Sequence, residues 1–114
     1  MAVLINTDSG LQRLRGNKKL YRRMLQMFLD GPECGRLEDA LAGADPAAAD
    51  AAHTVKGMAG NLSLDALFET STILMNELRT GATAPAAAAA YRDALAQTRD
   101  AARALIAEWE AEAG

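Results

Sequence analysis

Tyr91, Leu95, Thr98, Ala102, Leu105 and Trp109 follow one another at alternating steps of four and three. Such a series falls on one side of an α-helix and on no single face of a strand, whose period is two. A long helix with one apolar side needs that side covered, so the chain is committed to packing helices side by side. Half of the 114 residues are apolar but only 4% are aromatic, and alanine and leucine supply most of the apolar share. That balance favours helices packed closely through small side chains and makes strands unlikely partners. The length suits one core, and residues 1–114 are expected to form a single domain.

The rest of the chain divides at short breakers. TDSGLQRLRG holds a short opening helix, with Asp8 or Ser9 expected as its cap. Asn17 caps KKLYRRMLQMFLD, whose Leu20, Met24, Leu25 and Phe28 share a face. Gly31-Pro32 interrupts that helix. ECGRLEDALAG resumes with Leu37 and Leu41 out of phase with the earlier face, so a bend is expected. Asp45 as cap and Pro46 at the first helical position start a helix that runs to about Leu62. Ser63 is expected to cap LDALFETSTILMNELRTG, with Asp65 in the first turn and Gly81 as the stop. Its expected buried stripe is Leu64, Leu67, Phe68, Ser71, Leu74, Met75 and Leu78. Thr83 and Pro85 open the last helix, which runs to about Glu112. Met24, Met27, Met58 and Met75 are expected in or near the core. Short connections make neighbouring helices antiparallel, so the expected fold is all-α: an antiparallel up-down four-helix bundle with a short extra N-terminal helix.

Several function classes fall away. A net charge of -3 gives no bulk electrostatic attraction to nucleic acid or to an anionic membrane. The cluster Lys18, Lys19, Arg22 and Arg23 is local and reads as a solvated helix face. No stretch approaches the roughly 20 apolar residues of a membrane span, and MAVLIN lacks the basic start of a signal peptide. A cytoplasmic location is expected. Cys34 is the only cysteine, so no internal disulfide forms. One histidine and one cysteine do not make a zinc site. Cys34 is best taken as a small buried residue, and a Cys–His nucleophile has no support beyond the two residues existing.

The single histidine concentrates the interest. On a helical wheel of residues 46–62, Ala48, Ala51, Ala52, Val55, Met58, Ala59 and Leu62 gather opposite His53 and form the core face. His53 therefore points outward, in the company of Ala49, Asp50, Lys56, Gly57 and Gly60. A glycine inside a helix costs about 1 kcal/mol relative to alanine. Two of them beside the imidazole, with Ala49 one turn before, clear side-chain bulk so that another macromolecule can approach the ring. Lys56, at i+3, can disfavour a second positive charge on the ring and so favour its neutral, nucleophilic form. It can also stabilise a phosphoryl group carried on a ring nitrogen. Asp50, at i−3, is either a solvated residue or a partner that fixes the imidazole tautomer. A lone histidine on a helix is ordinarily just a surface residue; Lys56 and the two glycines set this one apart.

The stretch AHTVKGMAGNLSL resembles the signature A-H-x-x-K-G-x-x-x-x-x-G of histidine-containing phosphotransfer (HPt) domains, through Ala52, His53, Lys56 and Gly57. Ala59, Gly60, Asn61 and Leu62 continue the likeness. Upstream, LYRRMLQMFLDGPECGRLEDAL is similar to the family's first long helix at Leu20, Tyr21, Leu25 and Phe28. Downstream, LDALFETSTILMNELRTG resembles the helix that packs behind the phosphorylated one, and the likeness spans roughly residues 11–81. Two departures stand out: Ser63 occupies the position of the pattern's second glycine, and Asn76, Glu77 and Leu78 stand where many members carry Leu-Glu.

The resemblance implies a phosphorelay intermediate in two-component signalling. His53 would accept a phosphoryl group from an aspartyl phosphate and pass it to another aspartate. Lys56 would orient or neutralise the phosphoryl oxygens, while Ala49, Gly57 and Gly60 would admit the partner. The implied partners are receiver domains of response regulators and hybrid histidine kinases, with Mg²⁺ supplied by the receiver and no cofactor or metal held by this chain. Two alternatives stay open: a non-phosphorylated helical adaptor that binds receivers, and a phosphotransfer module cut from a larger sensor kinase. No glycine-rich phosphate loop is present, so phosphorylation by ATP is not expected.

Overall fold

The computed structural model describes residues 2–113. Among the described residues there are six helices and no strand. They are α1 (Thr7–Arg13), α2 (Lys18–Asp30), α3 (Glu33–Ala42), α4 (Ala48–Asn61), α5 (Asp65–Arg79) and α6 (Pro85–Ala113). Gly31 and Pro32 break α2 from α3, as the shift in apolar phase requires, and the pair forms one bent arm of the bundle. α3 packs on α4, α4 on α5, α5 on α6, and α6 returns to α2, so sequence neighbours are spatial neighbours. This is the up-down four-helix bundle, with α1 as the extra N-terminal helix. At about 1.5 Å per residue the 29-residue α6 runs nearly the whole 48 Å length of the molecule. No helix among the described residues is long and apolar enough to cross a membrane.

The core is built largely from leucine and alanine. Leu25, Leu37, Leu64, Leu67, Leu74 and Leu95 are fully buried, and Ala52, Val55 and Ala59 line the inner side of α4. At the α1 end of the bundle, the Tyr21 ring packs against Trp109 in a tilted pair, 5.9 Å between centroids and 51° between planes. Its hydroxyl donates to the backbone carbonyl of Leu62, which ties α2 to the end of α4. This anchor turns α2 about its axis relative to the sequence expectation: Tyr21 takes the interior, and Leu20 is left 38% exposed. Met27 is not core filling; it is 66% exposed, at the rim of an open groove between the α2–α3 bend and α4. In α6, Ile106 is buried while Leu105 is only partly covered.

Caps explain three further differences. Asn6, not Asp8 or Ser9, caps α1, its side chain accepting from the Ser9 amide at 3.2 Å. Asp45 accepts from the Ala47 amide at 2.8 Å, and the regular helix starts at Ala48, two residues beyond Pro46. Ser63 does not cap α5. It has φ +56 and stands just past the end of α4. The Leu64 amide donates to the Ala59 carbonyl and the Ser63 amide to that of Gly60, which is the Schellman pattern for ending a helix. Glycine is the usual residue at this left-handed position, and the glycine that the HPt pattern carries there has its physical reason in that φ.

The N-terminal segment clasps this turn. The Asn6 amide donates to the Ser63 carbonyl at 2.8 Å, the Ala66 amide to Val3, and the Ser63 hydroxyl to Ser9 at 3.1 Å. The Asn6 side chain also donates to Asp65 at 3.3 Å.

Tyr21→Phe strands the Leu62 carbonyl, so it is expected to cost about 1–3 kcal/mol in urea unfolding. Burial, then the Asp65 carboxylate, push the Tyr21 phenol up from 10.0 to about 12. The folded value lies above the unfolded one, so the neutral phenol's contribution is whole below pH 10.0 and is lost as pH rises through about 12. Urea midpoints should fall across that window, and fall less in Tyr21→Phe. Ser63→Gly relieves the left-handed serine and is expected to raise stability by up to about 1 kcal/mol, less whatever the Ser9 hydroxyl contributed.

Candidate functional site

The phase of α4 decides what faces solvent. Ala48, Ala52, Val55 and Ala59 are buried against neighbouring helices, and His53 lies exposed on the opposite side. Among the described residues no hydrogen bond or ion pair engages its ring. Asp50 does not fix the imidazole; it sits in the first turn of α4, where its charge suits the helix dipole, and its carbonyl accepts from Thr54 at 3.2 Å. His53, Lys56, Gly57 and Gly60 share the outer side of α4. Ala49 lies one turn before His53 but is half-buried, at the wall of a cavity it shares with Leu41, Leu78 and Gly81.

The two glycines turn out to differ. A methyl group added at Gly57 would meet nothing within 4 Å, so no contact inside the molecule accounts for that residue. A methyl group at Gly60 would lie 3.4 Å from the ring of Phe68 on α5. Gly60 thus faces an aromatic ring across the α4–α5 contact, where Gly57 faces open space.

Phe68 departs from the buried stripe expected of α5. It is 39% exposed, and Leu78, at the other end of that stripe, is only partly buried. The stripe of Leu64, Leu67, Ser71, Leu74 and Met75 is buried without it. On a helical wheel Phe68 stands at the edge of that stripe, and a glycine opposite it on the preceding helix was the available signal. The Lys56 ammonium lies over its ring, 5.8 Å from the centroid. Lys56 takes part in no ion pair among the described residues.

Residues 23–108 match the family model described as Hpt domain. The chain belongs to the Hpt domain family. No curated protein and no solved structure matches it. Hpt domains are phosphoryl carriers without kinase or ATPase modules, and this one serves histidine phosphotransfer in two-component signalling. Membership also implies interaction with receiver domains. The matched span begins within α2 and closes near the end of α6, so it contains the whole of α3, α4 and α5. The clasp formed by Val3, Asn6 and Ser9 precedes it.

Other titratable groups lie apart from this surface. Cys34 is buried beside Tyr91, and burial raises both the thiol and the phenol above their ordinary values. A thiol held neutral in the core is no nucleophile, and His53 stands on the outside of α4, so the two form no Cys–His pair. No group of three or more histidine, cysteine or acidic residues among the described residues could hold a metal ion.

Alanine at either glycine tests their helix-interior cost to the Hpt domain's stability. Gly57→Ala is expected to gain about 1 kcal/mol in urea unfolding, because it removes a helix-interior glycine at no steric cost. Gly60→Ala is expected to gain a comparable amount, because its methyl group would reach van der Waals contact with Phe68 and no closer.

Proposed function

We propose that His53 is the phosphoryl acceptor of this Hpt domain and that a receiver domain docks over the outer side of α4. The observation that carries this reading is the exposed, unengaged ring of His53 beside Gly57, whose missing side chain has no use within the molecule. In the proposed step the Nε2 lone pair of neutral His53 attacks the phosphorus of a receiver's aspartyl phosphate. The N–P bond forms as the P–O bond to the aspartate breaks, and the carboxylate leaves with the electron pair. In the onward step a second receiver's aspartate attacks phosphorus, and the pair of the N–P bond returns to the ring.

Positioning dominates such transfers, because the phosphoryl group is loosely bonded at the transition state and its oxygens carry the charge. Lys56 is the chain's cation for those oxygens, one turn from the ring, and Mg²⁺ belongs to the receiver's side of the complex. Gly57 lets the receiver's backbone approach to the depth that in-line attack requires, with Gly60 and Ala49 keeping the flanks low. The proposed unit is residues 1–114 acting as one domain.

Incubation with a phosphorylated receiver tests this directly. The wild-type chain should gain an acid-labile, base-stable phosphate. His53→Gln should stay folded and gain none; retained uptake would move the acceptor elsewhere. Lys56→Ala should slow transfer about tenfold, the loss of one solvent-screened charge-assisted contact. Gly57→Leu should fold at least as stably as wild type yet transfer poorly, and an unchanged transfer rate would remove clearance from the mechanism.

A further inference from the structure

Among the described residues no carboxylate pairs with Lys56. Its ammonium lies instead over Phe68, an aromatic side chain left 39% exposed at the edge of α5. Gly60 lies beneath one edge of that ring on the face of α4, where a methyl group would stand at van der Waals contact with it, 3.4 Å away. Three residues from two helices thus form one arrangement: a glycine seat, an aromatic ring upon it and a cation upon the ring.

We infer that Phe68 is a positioning residue, a resting place for the Lys56 ammonium that holds it on the α5 side of α4 until a phosphoryl group draws it away. The inference rests on the proposed role of His53 as acceptor and adds to it a control on the cation. An ammonium over a ring face is attracted by the ring's negative quadrupole, weakly at an exposed site. A phosphoryl oxygen on His53 offers the same ammonium a stronger, charge-assisted contact. The cation therefore changes partner when the phosphoryl group arrives, and the contact with Phe68 is given up in that exchange. Phe68 stabilises the unphosphorylated state and lowers the gain from recruiting Lys56. A leucine at the same place keeps the apolar cover over Gly60 but has no ring face. A tryptophan keeps the face and strengthens it.

Two measurements on the full chain test this. In the unphosphorylated protein, the Lys56 ε-methylene protons should be shifted upfield in NMR spectra by the Phe68 ring current. The shift should vanish in Phe68→Leu and persist in Phe68→Trp; its absence from the wild-type spectrum overturns the inference. The second measurement is phosphate uptake from phosphoramidate, in which His53 Nε2 bonds to phosphorus as the P–N bond breaks and ammonia leaves. Phe68→Leu should raise the uptake rate constant about two- to fivefold, the kinetic equivalent of one exposed cation–π contact. Phe68→Trp should not raise it, and in a Lys56→Met background Phe68→Leu should have no effect. Unchanged or slower uptake in Phe68→Leu, or an equal increase without Lys56, overturns the inference. A wild-type chain that takes no phosphate on His53 ends the acceptor reading, while the ring-current shift still decides whether Phe68 holds the lysine.

Discussion

Ala52, Val55 and Ala59 lie along the inner side of α4, against α3 and α5, and their burial fixes the rotation of that helix about its axis. Turning α4 by one residue position would expose Val55 and carry His53 towards the interior. Exposing a buried valine costs about 1.5–3 kcal/mol, and an imidazole without a hydrogen-bond partner inside the core costs more still. Domains of this size have only about 5–15 kcal/mol of stability in all. The orientation of the histidine is thus a consequence of three small apolar residues on the far side of its helix. The same small residues let the helices approach closely, which brings α5 near enough for Phe68 to cross onto Gly60.

The outer surface of α4 divides into two parts with different causes. Around Gly57 the helix is bare, and none of the described residues makes use of that bareness. Around Gly60 the helix is covered by an aromatic ring, and the ring in turn supports a lysine. Openness on one side and restraint on the other suit a site that must accept a large partner yet keep its cation in a known place. The C-terminal end of α4 is tied to several other elements. There Tyr21, Trp109, the left-handed Ser63 and the N-terminal clasp converge on the turn between α4 and α5. A histidine in the middle of a helix whose C-terminal end is tied to α1 and α2 has little freedom to shift along the axis.

Much of this was legible in the residues. The four-and-three spacing from Tyr91 to Trp109 gave the last helix, Gly31-Pro32 the bend, Gly81 a helix end and the wheel of α4 the outward histidine. Errors arose where one residue type serves two purposes. Serine before an apolar run reads as a cap for the next helix, but Ser63 closes the previous one. Leucine on an amphipathic helix reads as core, but Leu20 yields to Tyr21 because Trp109 gives the tyrosine ring a partner. Phe68 sits on the border between buried and exposed positions, where a few degrees of helix rotation decide the matter.

By itself the sequence determined the helices, their order and the side of α4 on which His53 stands, because periodicity is an angular property of one helix and needs no knowledge of its neighbours. Only the tertiary structure decided that Gly60 seats Phe68, that Lys56 rests on that ring, and that Ser63 adopts a left-handed backbone under the N-terminal segment. Those features depend on the distance and relative height of two helices, which the packing of the whole bundle sets and no single segment encodes.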